Sequence, residues 1–238
     1  MADSINGIPT IPDNFVYNDD SLVRTYLPNE LSNMCSVLHG VLGARSAKRA
    51  NLHILREPDT IAFTAGNVVV LHPLDGAERR YIFGHGASIG CIAVNPDGNK
   101  IAVGECGHQP MIIIYSWPTI SILRVLRNGS ERIYSDLAWD PDGSKLASVG
   151  GDPDFLLILW NWSEERIVLR NKAFSQEVFR VHFSRFFPGR LITSGTGHIR
   201  FWNMARTFTG MKLQGNIGKF GNVELTDVAA IGQLPDGK

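Results

Sequence analysis

The fold turns on one stretch: Tyr134-Ser135-Asp136-Leu137-Ala138-Trp139-Asp140-Pro141-Asp142-Gly143-Ser144-Lys145-Leu146-Ala147-Ser148-Val149-Gly150, followed closely by Phe155-Leu156-Leu157-Ile158-Leu159-Trp160. It holds three short runs rich in apolar and β-branched residues. Pro141 presets φ for a turn and Gly143 supplies φ > 0, so Pro141-Asp142-Gly143 reads as a hairpin corner. The second run ends in a Gly-containing turn. A fourth, more polar run, Arg166-Ile167-Val168-Leu169, closes the unit.

The same unit recurs on both sides. Turn corners stand at Pro58-Asp59, Pro96-Asp97-Gly98, Pro141-Asp142-Gly143, Pro188-Gly189 and Pro235-Asp236-Gly237, spaced 38, 45, 47 and 47 residues apart. The first runs are Leu52-His53-Ile54-Leu55, Ile89-Gly90-Cys91-Ile92-Ala93-Val94 and Val178-Phe179-Arg180-Val181-His182-Phe183, with residues 223–234 expected as the first strand of a fifth unit. Third runs include Val68-Val69-Val70-Leu71, Met111-Ile112-Ile113-Ile114-Tyr115 and His198-Ile199-Arg200-Phe201-Trp202. Fourth runs are Arg79-Arg80-Tyr81-Ile82-Phe83, Ile122-Leu123-Arg124-Val125-Leu126 and Gly210-Met211-Lys212-Leu213.

Four short strands per unit of about 45 residues is the pattern of a WD-repeat β-propeller blade. The central runs are the most apolar, as strands covered on both faces require. The outermost are the most charged, which blunts a free edge. No stretch sustains a 3.6-residue period over three turns, so a helical fold is excluded. The expected architecture is all-β: four four-stranded blades plus the first strand of a fifth, an incomplete propeller.

Residues 1–44 differ. They carry five acids (Asp3, Asp13, Asp19, Asp20, Glu30) against one base, Arg24, with Pro9, Pro12 and Pro28 and little periodicity. The expected organisation is an extended or disordered leader over 1–44 and a partial propeller over 45–238. Arg45, Lys48 and Arg49 mark the entry to the folded part as a solvated loop. Pro235-Asp236-Gly237 reads as the first corner of a further blade, so the length looks like a cut rather than a domain size.

A WD blade is stapled by Trp at the end of its third strand, Asp in the preceding turn, Ser or Thr on the second strand, and a Gly-His pair at its opening. The third unit supplies Ser148, Asp154 and Trp160. The fourth supplies Trp202 and either Thr193 or Ser194, with Thr196 in the Asp place. The second opens on Gly84-His85 but has Tyr115 for Trp. The first has His72 for Trp and Gly66 for Asp. No unit carries all four groups, and a half-made buried network costs more than an apolar one, so apolar packing is expected to replace it. Ser148, Asp154, Trp160, Trp202, Tyr115 and His85 are therefore structural blade residues, with Trp160 and Trp202 in the core.

The composition excludes several functions. The chain has 238 residues, 44% hydrophobic and 19% charged, with 23 basic and 23 acidic side chains and a formal net charge of zero. A nucleic-acid binder or an acidic-membrane binder would show a basic stripe. No apolar run approaches the ~20 residues of a bilayer span. Residues 1–15 lack the regions of a secretory signal. Three Cys (Cys35, Cys91, Cys106) do not make a disulfide framework.

Gly86-Ala87-Ser88-Ile89-Gly90 matches a nucleophile elbow, but a strand follows Ser88 where that motif needs a helix. Cys91, Cys106 and His108 lack zinc spacing, and Cys91 reads as a small core hydrophobe. His39, His53, His182 and His198 are scattered one per element. There is no phosphate loop and no dinucleotide fingerprint. The chain is read as non-enzymatic, with no cofactor, metal or small-molecule substrate. A propeller without a reactive cluster is an interaction scaffold.

The fourth unit carries the most specific text. Lys172-Ala173-Phe174-Ser175-Gln176-Glu177-Val178-Phe179 leads to Thr193-Ser194-Gly195-Thr196-Gly197-His198-Ile199-Arg200-Phe201-Trp202, then Met204-Ala205, Thr207-Phe208-Thr209-Gly210 and Lys212-Leu213-Gln214-Gly215. With Arg49-Ala50-Asn51-Leu52, Ala65-Gly66-Asn67 and Leu146-Ala147-Ser148-Val149-Gly150, this resembles the cilia- and flagella-associated protein 44 family, WD-repeat proteins of the axoneme. The resemblance runs from about Phe15 to the last residue.

It implies a structural part of motile cilia and flagella, located in the cytoskeleton of the axoneme. The implied partners are a related ciliary WD-repeat protein, inner-arm dynein and the doublet microtubule, within a complex that tethers the dynein motor head. No site residue carries over. The rival reading is a general intracellular WD-repeat adaptor for protein complexes.

Overall fold

The computed structural model describes residues 51–83, 85, 88–208 and 210–218, with 4–5, 8–9, 11–12, 14–17, 41, 43–44, 226–228, 231–232 and 234. Every regular element among them is a strand. Strands β1 (Ser4–Ile5) and β2 (Ile8–Pro9) form a two-stranded sheet. Sixteen more form four antiparallel sheets of four, each in chain order.

The first blade is β3 (Leu52–Leu55), β4 (Thr60–Ala65), β5 (Val68–Pro73) and β6 (Arg80–Ile82). The second is β7 (Ser88–Val94), β8 (Lys100–Cys106), β9 (Ile112–Ser116) and β10 (Ile122–Leu126). The third is β11 (Tyr134–Trp139), β12 (Leu146–Gly150), β13 (Leu156–Asn161) and β14 (Arg166–Lys172). The fourth is β15 (Val178–Phe183), β16 (Arg190–Gly195), β17 (His198–Thr207) and β18 (Gly210–Ile217). The last two strands run beyond the apolar runs seen in the sequence, because β17 and β18 pair in unbroken register from Arg200↔Ile217 to Thr207↔Gly210.

Burial follows strand position. All of β12 is buried, as are the middles of β8 and β13, whereas β14 holds exposed and part-buried residues and β18 does so apart from buried Leu213. Three clusters fill the three seams between successive blades. Leu55, Val69 and Leu71 meet Ile92, Val103 and Ile113 in the first seam. Ile114 and Leu126 meet Leu137 and Trp160 in the second. Val149 and Leu159 meet Val181, Leu191 and Trp202 in the third. The second and third blades are each a wall of two cores, which is why their central strands lack the polar alternation of a one-sided sheet.

The first strands of blades two, three and four share one irregularity. Register slips between Ile89 and Cys91, between Tyr134 and Asp136, and between Val178 and Arg180. Such a bulge re-aims the residue that follows it. Cys91 Sγ donates to Tyr134 O on the next blade (3.3 Å), and Asp136 Oδ2 accepts the Val181 N–H (2.9 Å) with Arg180 Nε at 3.5 Å. The bulge at Gly90 also brings its backbone onto the Tyr134 carbonyl, so closely that a Cβ there would overlap it.

After the fourth sheet, Asp227 bridges Thr196, Gly197 N–H donates to Thr226 O and Val228 N–H donates to Gly195 O (3.2 Å). Ile133 bridges Cys106 in the same way at the start of the third blade. The chain past the fourth blade thus repeats the step that opens the third. The corner at 235–237, the basic residues at 45, 48 and 49 and most of the stretch read as leader lie outside the described residues. Part of that stretch does not dangle: residues 14–17 lie along the edge of β10, with Tyr17 N–H donating to Ile122 O (2.9 Å).

Candidate functional site

The polar groups that lock each blade differ from blade to blade. In the second, His85 sits at the blade opening with Nδ1 3.2 Å from Glu105 Oε1, and its Nε2 lies 3.2 Å from the Tyr115 hydroxyl. Glu105 Oε2 accepts the Met111 N–H (2.9 Å), and the side chain is 1% exposed. The carboxylate therefore comes from the end of the second strand, not from the following turn. Glu105 pairs with Ile89 as Gly150 pairs with Tyr134 in the next blade. A residue one methylene longer than Asp, one strand earlier, delivers the same group. The sequence reading missed it because the turn position itself holds Gln109.

In the third blade, Trp160 Nε1 donates to Ser148 Oγ (2.9 Å), both buried. Asp154 accepts the Glu131 N–H (3.0 Å), and its other oxygen lies 3.4 Å from Ser130 Oγ, whose hydroxyl donates to Ile133 O. The place His85 holds in the second blade is taken by Ser130. Tyr134 fills the remaining space, with its hydroxyl against Gly129, where a Cβ would collide with it.

In the fourth blade, Trp202 Nε1 donates to Thr193 Oγ1 (2.9 Å), which selects Thr193 over Ser194. Strand parity carries the signal. Thr193 stands two residues after Leu191, as Ser148 stands two after Leu146, and both leucines pair with the blade Trp. Phe174 occupies the histidine place and stacks on His198 at 3.9 Å. In the first blade, His72 takes the Trp place but faces outward, accepting from Arg79 Nε at 3.2 Å. Apolar packing and polar locks thus coexist, and the second blade carries a connected His85–Glu105–Tyr115 set with Val103 in the Ser/Thr place.

Reactive chemistry finds little support in the geometry. Ser88 opens β7, and Gly86 and Ala87 lie outside the described residues. Cys91 is buried in the second seam. No group of three His, Cys, Asp or Glu side chains able to hold a metal occurs among the described residues. No helix among them is long and apolar enough to cross a membrane. Burial, aided by Arg180 and Arg185, pushes the His182 imidazole down to about 4.

What the blades do present is surface. On the first blade, Leu52 pairs with Phe63 and Ile54 with Ile61 on the face turned away from the second blade. Leu52 and Ile54 are 65% and 61% exposed. On the far side of the fourth blade, Ile192 pairs with both His182 and Phe201, and a hollow lined by His182, Phe186 and Ile192 is capped by Ile231 and Gly232.

The WD domain, G-beta repeat model matches residues 77–116, which hold the outer strand of the first blade and three strands of the second. Across 209 residues, 84% of the chain, it is 53% identical to cilia- and flagella-associated protein 44 of Chlamydomonas reinhardtii. Identity to the Mus musculus protein of the same name is 44% over 204 residues. The chain belongs to the cilia- and flagella-associated protein 44 family. It spans 12% and 11% of the length of those two relatives. At greater distance, it is 30% identical over 226 residues, 90% of the chain and 23% of the relative, to echinoderm microtubule-associated protein-like 4 of Xenopus laevis. The chain is accordingly a WD-repeat member of a cilia- and flagella-associated family.

Proposed function

We propose that the chain is a structural component of the axoneme of motile cilia or flagella, working by protein docking rather than by chemistry. Its place is in a tether that links the motor head of an inner dynein arm to the doublet microtubule, beside a related ciliary WD-repeat protein. The observation that carries this reading is the 53% identity to a cilia- and flagella-associated protein over 84% of the chain, in text that blade packing does not demand. A microtubule-associated relative of the same repeat class supports a cytoskeletal partner.

In this reading residues 1–44 are a leader and 45–238 a partial propeller. His85, Tyr115, Ser148, Asp154, Trp160 and Trp202 hold the blades rigid and touch no ligand. The test is endogenous tagging of the protein that contains this chain. Signal that stays on detergent-extracted axonemes, with proximity labelling of inner-arm dynein, supports the reading. Uniform cytosolic signal overturns it.

A further inference from the structure

The outer rim of the second and third blades holds a site that blade architecture does not require. Arg124 lies on β10 opposite Ile114, where the third blade carries Leu169 opposite Leu159. A leucine serves that place in one blade, so the sheet itself has no need of a cation there. Yet Arg124 is 2% exposed. Its guanidinium donates to Ser163 O (2.7 Å) and Leu123 O (2.6 Å) within the blades, and to Pro12 O (2.9 Å) and Phe15 O (2.8 Å) on the segment that crosses them. Two of its four acceptors belong to that segment. A buried cation stripped of acceptors is costly, so Arg124 calls for an occupant.

Glu165 is the second, independent sign. It sits in the turn between β13 and β14 with φ at +52°, a left-handed conformation that a residue with a Cβ adopts at a cost of about 1 kcal/mol. That geometry aims the carboxylate back over β10. One oxygen accepts the Val125 N–H (2.8 Å), and the pair receives the Tyr17 hydroxyl at 2.6 and 2.7 Å. Burial and the neighbouring Glu165 raise the Tyr17 phenol above its ordinary value, so it stays a donor. Phe15 packs edge-on against Tyr17 at 5.1 Å, and Tyr17 N–H donates to the free edge of β10 at Ile122 O. Phe15 N–H turns back to Pro12 O (2.9 Å), presenting both carbonyls to one guanidinium.

We propose that this rim is a peptide-binding site whose resident ligands are the chain's own Pro12 and residues 14–17, seated reversibly. Arg124 reads two backbone carbonyls three residues apart, Glu165 reads a tyrosine hydroxyl, and the β10 edge reads a backbone N–H. The ligand class is an extended peptide with an aromatic residue two places before a tyrosine. A partner segment with that pattern competes with the resident one. The site stands on rim geometry alone and survives or falls independently of the axonemal reading.

The test uses the full 238-residue chain in two forms, unaltered and carrying Phe15→Ala with Tyr17→Phe, which weaken the resident segment without touching a blade strand. The probe is a fluorescein-labelled peptide of residues 9–19, followed by polarisation. Expected is binding to the altered chain at least tenfold tighter than to the unaltered chain, whose site is filled. An unlabelled peptide with its tyrosine replaced by Phe should compete about tenfold less well. If the altered chain loses its tryptophan emission, Tyr17→Phe alone is read in the same way. Equal binding to both chains, no binding to the altered one, or equal competition by the Phe peptide overturns the proposal.

Discussion

Replacing Glu105 measures how much one displaced carboxylate contributes to the second blade. In Glu105→Ala, His85 Nδ1 and the Met111 N–H lose an acceptor in a place where water does not reach Glu105. Each stranded donor costs about 1–3 kcal/mol, so losing both bonds costs about 2–6 kcal/mol in all. In Glu105→Gln, the amide oxygen keeps the Met111 bond. The amide NH2 donates to Nδ1 once the imidazole carries its proton on Nε2, which then donates to the Tyr115 oxygen. That exchange costs about 1–2 kcal/mol. For a chain of this size each kcal/mol moves Tm by about 2–4 °C, so Ala lowers it by roughly 10 °C and Gln by roughly 4 °C. Thermal unfolding followed by tryptophan emission makes the comparison, since Trp117 lies in the same blade and remains in place. A Gln variant as unstable as the Ala variant, or an Ala variant within 2 °C of the unaltered chain, would refute the network as described.

Gly90→Ala drives a Cβ into the Tyr134 carbonyl, a backbone atom that cannot swing away. The expected loss is about 1–3 kcal/mol by urea titration, against a near-neutral Gly232→Ala, which meets open space without a positive φ. Burial and the cations Arg180 and Arg185 hold His182 at about 4, below its unfolded value of 6.5, so the unfolded chain binds more protons between those values. Stability should therefore fall as pH drops from about 6.5 toward 4, and the slope should become shallower in His182→Gln, with the His198 imidazole, also lowered by burial, supplying part of what remains. The apolar faces of the first and fourth blades predict self-association of the isolated chain. Light scattering should show mass above one chain, and Leu52→Glu with Ile54→Lys should lower it.

The legible part of this molecule is what neighbours in sequence decide together. Pro96-Asp97-Gly98 and Pro141-Asp142-Gly143 are corners because Pro and Gly restrict and release φ locally, whatever lies around them. The apolar runs between them have strand length, and their repetition sets four sheets of four. Trp160 beside Ser148 was legible for the same reason, since strand and turn offsets are short and regular. Even the choice of Thr193 was within reach through the alternation of side chains along a strand.

What the sequence could not order was the set of contacts made across blades and across long stretches of chain. Glu105 looks like an ordinary charged strand end until register places it opposite Ile89, beside a histidine 20 residues away. Tyr17 and Glu165 are 148 positions apart, and composition alone marks the first as part of an acidic leader. Sequence by itself determined the period, the sheets and their order, because turn chemistry and binary pattern act over a few residues. Only the tertiary structure decided which polar group locks which blade and what lies on the rim. Those pairings depend on seams between sheets, where burial raises the cost of an unmatched donor until some distant residue must meet it.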